Sequence, residues 1–241
     1  VCLVIDPLIA LIEDQVDNLQ NYGINRVMGI SSQLNFQEKA EALRSFGDNQ
    51  FLFCYIAPER LQMQDFRASL LSLTTRSPIS LVAVDEAHCV SEWGHDFRVS
   101  YLNIARNSRE YCKKDGKIPP LLALTGTASR SVLRDLRREL EIIDYDAVIT
   151  PQSFDRPELK FNVIACKSNE KKERLSGVIS SLPSKFGFSN NSFFSPRGEE
   201  TNAGLIFYPH VNNIYGIADG YQLLNDKLNA PVGLYSGKPP K

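Results

Sequence analysis

Two adjacent carboxylates follow an aliphatic segment in the first half of the chain. Residues 81–84 are all aliphatic, Asp85 and Glu86 come next, and His88 lies two residues further on. If the aliphatic run is a strand of a parallel sheet, these side chains lie at the sheet's carboxyl edge, where open α/β folds bind ligands. There one carboxylate can hold Mg²⁺ and the other can accept a proton from an attacking water, as nucleotide hydrolysis requires. A solvated acidic turn is the plainer alternative, and the pair alone does not separate the two.

An aromatic and basic segment comes directly after these carboxylates. It contains the only tryptophan of the chain, Trp93, together with His95, Phe97 and Arg98. Indole, phenyl and guanidinium groups stack on exposed nucleic-acid bases, so the segment predicts a loop that senses DNA beside a hydrolytic site. The alternative is that Trp93 and Phe97 fill a small hydrophobic core.

A zinc site is a third interpretation of this region, with His88, Cys89, His95 and Cys112 as ligands. The spacing of these four residues does not follow the usual zinc patterns. The chain has five cysteines and no C-x-x-C pair, which argues against a disulfide framework and favours a reducing compartment.

The segments that must position these residues alternate in length and character. Strands are predicted over residues 1–5, 26–30, 51–56, 81–84, 121–124 and 147–149. Helices are predicted over 8–20, from a capping box at Asn35 and Glu38 to about residue 46, and from a cap at Ser129 through 140. Short strands alternating with amphipathic helices indicate a parallel sheet covered by helices.

The pattern of the sequence changes after Pro151, where a polar, turn-like stretch begins, and a domain boundary is predicted there. The first predicted domain covers residues 1–152 and the second covers 153–241. In the second, an alternating segment at 159–165, strands at 203–208 and 232–235 and helices at 171–182 and 211–228 are expected. Residues 184–202, rich in Ser, Asn, Gly and Phe, are predicted to be a long loop or insertion.

Six segments of the chain, in order, resemble the RecQ family of ATP-dependent DNA helicases. Residues 85–98 resemble motif II and the aromatic-rich loop of that family. The others are 6–16 (motif Ia), 55–61 (motif Ib), 122–128 (motif III), 153–157 (the junction between domains) and 204–208 (motif IV). The resemblance implies an α/β fold, with a RecA-like parallel sheet that has helices on both faces, followed by the start of a second RecA-like domain.

The resemblance also implies roles at a nucleotide site. Asp85 would help to hold Mg²⁺, Glu86 would activate water, and His88 would link the nucleotide site to the DNA-sensing loop. Thr125 and Thr127 match hydroxyls that connect hydrolysis to domain movement, although threonines after a strand also commonly cap a turn.

A second set of residues would contact DNA or couple it to hydrolysis. These residues are Pro58, Glu59, Arg60, Trp93, His95, Phe97 and Arg98. Pro58 and Glu59 could instead simply begin a helix. Two positions depart from the family pattern, because Gly126 stands where Ala is usual and Val99 where Pro is usual.

The family's phosphate-binding loop, G-x-x-x-x-G-K-[ST], does not occur in these 241 residues. The two Gly-Lys pairs, at residues 116–117 and 237–238, are followed by Ile and Pro. Because such a loop cradles and neutralises the phosphates, the chain is expected not to hydrolyse ATP alone. We expect it to be truncated at both ends relative to a parent helicase that uses ATP and Mg²⁺ and acts 3′ to 5′ on single-stranded and partly duplex DNA.

Two other function classes compete with this reading. One is a non-catalytic, helicase-like protein that binds single-stranded DNA, and the other is a metal-dependent nuclease that uses Asp85 and Glu86. Overall charge does not distinguish these function classes, since the chain has 27 basic and 28 acidic residues. Residues 106–138, however, have a local excess of positive charge, with nine Lys or Arg and three acids. No apolar run is long enough to span a bilayer, so no membrane partner is expected. The expected location is a bacterial cytoplasm, or the nucleus if the source is eukaryotic.

Overall fold

The computed structural model describes residues 1–91, 99–126, 129–144, 146–150, 156–189, 193–198, 200–212, 215–228 and 230–236. The chain divides into two compact units. Unit 1 covers Val1–Gln152 and unit 2 covers Ser153–Lys241.

Unit 1 contains a five-stranded parallel sheet, so the predicted α/β class is confirmed. Its strands are β1 (Cys2–Ile5), β2 (Val27–Ile30), β3 (Phe53–Ile56), β4 (Leu81–Val84) and β5 (Leu121–Ala123), in the spatial order β2-β3-β1-β4-β5. All four pairings are parallel. The strand predicted at 147–149 is wrong, because these residues pair with no strand and Ile149 is 95% exposed.

Six α-helices in the described residues of unit 1 accompany this sheet. They are α1 (Ile9–Asn21), α2 (Phe36–Gly47), α3 (Gln64–Arg76), α4 (Val99–Leu102), α5 (Ile104–Tyr111) and α6 (Arg130–Glu139), with 3₁₀ helices at Pro58–Gln62 and Ala87–Val90. On one face Ile12 of α1 packs with Val27 and Tyr55. The larger core cluster, on the other face, contains Phe46 of α2 and Phe66 of α3, whose rings stack with centroids 5.3 Å apart. Helices therefore cover both faces, as predicted.

Local sequence explains several of these boundaries. Asn35 Oδ1 accepts the backbone N–H groups of Gln37 and Glu38, and the Glu38 carboxylate accepts the N–H of Asn35, so the predicted capping box is confirmed. Ser129 Oγ accepts the N–H of Val132 at 3.3 Å and caps α6. These bonds satisfy amides that a helix start leaves without internal partners.

Unit 2 contains two α-helices in its described residues, α7 (Lys171–Lys185) and α8 (Ile217–Lys227), and a 3₁₀ helix at Ser168–Glu170. The strands predicted at 203–208 and 232–235 are wrong, and the alternating segment 159–165 likewise contains no strand in the described residues. Phe161 and Phe207 are 90% and 88% exposed, because no described strand lies beside either segment. The helix predicted from residue 211 begins only at Ile217. The RecA-like nature of this unit stays a prediction.

All five cysteines are free thiols. Cys89 and Cys112 lie in the larger core cluster, where burial raises the pKa of Cys112 to about 12. Of the four residues in the zinc interpretation, His95 lies outside the described residues. Among the residues that the structure describes, no helix has the length and apolar character needed to cross a membrane.

Candidate functional site

The carboxyl ends of four neighbouring strands lie in register. Ile30, Ile56, Ile5 and Val84 are aligned across β2, β3, β1 and β4, and all four are fully buried. The residues that follow them, Ser31, Ala57, Asp6 and Asp85, are called the edge row below. The ladder continues into this row, since Asp6 N–H donates to the Ile56 carbonyl at 3.0 Å and Asp85 N–H to the Ile5 carbonyl at 2.8 Å. Two carboxylates thus leave adjacent strands at one level of the sheet.

A tight turn after β4 keeps the second carboxylate at this edge. Glu86 adopts a left-handed conformation with φ of 43° and ψ of 45°. Asp85 Oδ1 accepts the Glu86 N–H at 2.8 Å, and Ala87 N–H donates to the Leu124 carbonyl at 2.9 Å. A non-glycine residue in this conformation costs roughly 1–2 kcal/mol. Such strain is typical of functional sites, where the surrounding structure holds it in place.

The imidazole of His88 joins Glu86 to Thr125. Its Nδ1 atom lies 3.1 Å from Thr125 Oγ1 and 3.1 Å from Glu86 Oε2. When Nδ1 carries a proton it can donate to the Glu86 carboxylate, and when it does not it can accept from the Thr125 hydroxyl. One nitrogen atom therefore connects the turn after β4 with the segment after β5.

The carboxylates also affect a buried tyrosine on β3. Burial raises the pKa of Tyr55 above its ordinary value, and Cys2, Asp85 and Asp6 act in the same direction. Asp6 is itself buried, and its Oδ1 accepts the N–H of Leu8 at 2.9 Å. This end of the sheet is consequently a place of negative charge, with oxygen ligands of the kind that magnesium prefers.

A cavity of about 690 Å³ lies at the same edge, after β1, β2 and β3. Its lining residues are Pro7, Leu8, Ile9, Ser32, Ala57, Glu59, Arg60 and Met63. Arg60 is only 6% exposed, and its guanidinium donates to the Ser31 carbonyl at 3.1 Å and contacts Met63 Sδ at 3.3 Å. The guanidinium therefore ties the segment after β2 to the segment after β3.

The structure places the predicted site residues in two groups. Asp85, Glu86, His88 and Thr125 come together after β4 and β5, while Pro58, Glu59 and Arg60 stand at or beside the cavity. Thr127, Trp93, His95, Phe97 and Arg98 lie outside the described residues.

Sequence reasoning missed Asp6 as part of this edge. The signal was present, because Asp6 follows an aliphatic run just as Asp85 does. It also missed the hydrogen bonds that Ser91 donates to Asp135 and that Ser100 donates to Glu59, because each joins residues far apart in the sequence.

Comparison with known proteins decides the family. The DEAD/DEAH box helicase family matches residues 1–136, which is more than half of the chain. The chain belongs to the DEAD/DEAH box helicase family. Residues 85–88 of this DEAD/DEAH box helicase chain read Asp-Glu-Ala-His, and they form the turn and the His88 contact described above.

The resemblance to RecQ helicases is confirmed by curated relatives. A "Probable ATP-dependent DNA helicase RecS" of Bacillus subtilis is 38% identical over 181 residues, which is 75% of this chain and 34% of that protein. The "ATP-dependent DNA helicase RecQ" of the same organism is 41% identical over 172 residues, or 71% and 27%. The "ATP-dependent helicase wrn-1" of Caenorhabditis elegans is 38% identical over 169 residues, or 68% and 15%. The chain of this DEAD/DEAH box helicase thus spans between 15% and 34% of these relatives.

The crystal structure of the Pyrococcus furiosus Hef helicase domain superposes on 77% of this chain and 38% of its own, with a TM-score of 0.42 and 17% identity.

Proposed function

We propose that the chain is part of an ATP-dependent DNA helicase of RecQ type, which couples ATP hydrolysis to 3′ to 5′ movement on single-stranded DNA and to duplex unwinding. The observation that carries the proposal is the Asp85–Glu86 turn, joined through His88 to Thr125 at the carboxyl edge of the sheet. The curated relatives, which are named as ATP-dependent DNA helicases, support it.

In this proposal the two carboxylates have different tasks. Glu86 accepts a proton from the water that attacks the terminal phosphate. Asp85 would hold Mg²⁺, and its carboxylate oxygens fit that ion. Bound Mg²⁺ would supply positive charge against the phosphates. His88 Nδ1 exchanges its bond to Glu86 for one to Thr125, which links proton transfer at Glu86 to the segment after β5.

DNA binds, in the same proposal, along the cavity after β1, β2 and β3 and beside the aromatic segment 92–98. The cavity lies after β1, β2 and β3 and is bordered by Glu59 and Arg60. Since Arg60 is buried and donates to the Ser31 carbonyl, it acts on DNA mainly by fixing the cavity wall. The enzyme would work in a bacterial cytoplasm or a eukaryotic nucleus.

The 241-residue chain by itself is proposed not to hydrolyse ATP. Its sequence contains no G-x-x-x-x-G-K-[ST] loop, so it lacks the backbone amides and the lysine that such enzymes place around the phosphates. We expect no ATP turnover by the purified chain, with or without single-stranded DNA. Turnover that single-stranded DNA stimulates and that Glu86→Gln abolishes would contradict this.

The helicase proposal is tested with the full-length gene product. Glu86→Gln should lower DNA-stimulated ATP hydrolysis by about 10²–10⁴-fold, since it removes a general base but keeps the side chain's shape. Glu41→Gln is the matched control, because Glu41 lies exposed on α2 and outside the segments that resemble family motifs, and it should leave turnover unchanged. A Glu86→Gln protein with wild-type turnover would refute the assigned role. A full-length protein that binds single-stranded DNA and never hydrolyses ATP would establish the alternative, a non-catalytic DNA-binding protein.

A further inference from the structure

The basic residues of 106–138 differ in what their side chains contact. Arg109 donates to the Leu140 carbonyl at 3.2 Å, and Arg137 donates to the Ile143 carbonyl at 3.1 Å. These two guanidinium groups therefore serve the fold, because they satisfy carbonyls at and just beyond the end of α6, where a helix leaves its last carbonyls without internal partners. They do not explain why the stretch carries so much positive charge.

Helix α6 contains two acidic residues, and both are already engaged. Glu139 lies 2.9 Å from Arg138, and Asp135 lies 3.5 Å from the same guanidinium. Asp135 also accepts a hydrogen bond from Ser91 Oγ at 2.8 Å. The acids of the helix thus neutralise Arg138 and bind Ser91, and they leave the other exposed arginines of α6 uncompensated.

Arg130 and Arg134 are those arginines, called the arginine pair below. Both side chains are exposed, and among the residues that the structure describes neither has an ion-pair partner. Because they are four positions apart on a helix, they lie on one face, about 6 Å apart along its axis. Like charges at this spacing slightly destabilise a helix. An anion that contacts both guanidinium groups would offset this repulsion.

The position of α6 places the arginine pair on one side of the sheet edge. The buried Val132 and Leu136 pack α6 against unit 1, and the helix contacts the 3₁₀ helix Ala87–Val90 that follows Glu86. The pair is therefore on the β4 and β5 side of unit 1. The cavity after β1, β2 and β3 has no described residue of α6 in its lining, so the pair is a surface separate from the cavity.

We propose that Arg130 and Arg134 form a second DNA-binding surface, outside the cavity, which contacts two phosphates of a single strand. Guanidinium groups bind phosphate oxygens through charge-assisted, bidentate hydrogen bonds. Phosphates are the same at every nucleotide, so this surface binds without regard to base sequence. The choice of DNA as the partner rests on the proposed function, whereas the uncompensated charge of the pair does not.

The experiment measures binding of a labelled thymidine oligonucleotide to the 241-residue chain by fluorescence anisotropy at several salt concentrations. Each phosphate contact on a single strand adds about 0.7 to the slope of log affinity against log salt concentration. The Arg130→Gln, Arg134→Gln double variant should therefore lower the magnitude of the slope by about 1.4 and weaken binding by about 25-fold at about 0.1 M salt. Each single variant should lose about half of that slope. A double variant with the wild-type slope would overturn the proposal.

The matched control is the Arg44→Gln, Arg174→Gln double variant. Arg44 on α2 and Arg174 on α7 are exposed helical arginines, so this variant changes the net charge by the same amount and should keep the wild-type slope. A loss of slope as large as that of the α6 variant would show that net charge alone governs binding, and would refute the arginine pair as a surface.

A charge-preserving variant tests the chemistry of the contact. Arg130→Lys, Arg134→Lys keeps both charges, and lysine also binds phosphate, so its slope should stay close to wild type. A lysine variant that loses as much slope as the glutamine variant would contradict contacts to phosphate.

Thermal unfolding checks that the variants fold. Glutamine is a good helix former and its introduction removes the repulsion between like charges, so the glutamine double variant should unfold at no lower temperature than wild type. A wild-type chain that does not bind the oligonucleotide would also overturn this inference. The helicase proposal is decided separately, by the turnover of the full-length protein and its Glu86→Gln variant.

Discussion

Units 1 and 2 each contain a short apolar segment that was expected to be extended, and the two segments end up with opposite burial. Val82 and Val84 of β4 are completely buried, whereas Phe161 and Val163 of unit 2 are 90% and 97% exposed. The two runs differ in pattern, since residues 81–84 are aliphatic throughout whereas Lys160 and Asn162 interrupt the apolar residues of 159–165, but the alternating run still offers one apolar face that could be buried. The difference is in the neighbours: β4 pairs with β1 on one side and β5 on the other, and no described strand lies beside 159–165.

The contrast teaches what an alternating pattern measures. An alternating pattern indicates that a strand would have one apolar face. Whether that face is buried depends on the partner strands and covering helices. In unit 1 helices cover both faces of the sheet, and the residues of its strands divide between two core clusters. In the described residues of unit 2, the only large apolar side chains that are buried are those of Ile179 and Phe193.

The largest expected effect compares one phenylalanine from each unit. Phe66→Ala should lower the free energy of unfolding by about 3–5 kcal/mol, because it empties a fully buried position that stacks on Phe46. Phe207→Ala should change it by less than about 0.5 kcal/mol, since that ring is almost wholly exposed. Urea denaturation followed by circular dichroism measures both. A Phe207→Ala variant as destabilised as Phe66→Ala would break the comparison by showing that 203–208 is packed.

A smaller effect on the free energy of unfolding is expected at Glu86, whose left-handed backbone conformation is held by the sheet of unit 1. Glu86→Gly should be more stable to urea than Glu86→Ala by about 0.5–1 kcal/mol. Both variants lose the carboxylate, and glycine alone relieves the left-handed backbone, at the expense of a more flexible unfolded chain. Equal stability of the two variants would mean that the turn after β4 carries no backbone strain, and the contrast with unit 2 would then concern packing alone.

The smallest effect concerns an interhelical ion pair present in each unit. Lys39 lies 2.6 Å from Asp65 and Lys172 lies 2.5 Å from Asp219. Each lysine's hydrogen bond holds the pKa of its aspartate below the ordinary value of 3.8. Each pair therefore contributes fully above pH 3.8 and loses its contribution as the pH falls through the lowered pKa.

At neutral pH Asp65→Asn should lower the free energy of unfolding by about 0.2–1 kcal/mol, the range of exposed pairs. The difference from wild type should vanish once Asp65 is protonated. Urea titrations across acidic pH measure it, and NMR titration of the side-chain carboxyls should find both aspartates below 3.8. A difference that persists in acid would show that Asn disturbs packing rather than removing a charge.

Short-range rules were sufficient for the five strands of the unit 1 sheet, although they also predicted a strand at 147–149 that does not form. β4 has its predicted bounds, β1, β2, β3 and β5 lie within theirs, and the Asn35 capping box forms as its spacing indicates. Placing Asp85 and Glu86 at the sheet edge needed only the aliphatic run before them. The burial of Arg60 could not be predicted, since an arginine normally lies at the surface and only the folded chain brings the Ser31 carbonyl to it.

The contact between His88 and Thr125 was beyond sequence reasoning for a similar reason. These residues lie 37 positions apart, and β4 and β5 must pair in their observed register before the two side chains can meet. In unit 2 the short-range rules still located α7. They failed for the predicted strands at 203–208 and 232–235, because a strand forms only where a neighbouring strand pairs with it.

The register of the sheet has a consequence for how this protein can change over evolutionary time. Four buried aliphatic residues form a continuous floor, and the edge row stands on it one residue further along each strand. Replacing a member of the floor disturbs the core, whereas replacing Asp85, which is only half-buried, alters the chemistry of the edge with less effect on the packing beneath it. In each strand, the residue that maintains the core and the residue that sets the chemistry of the edge are therefore direct neighbours in the sequence.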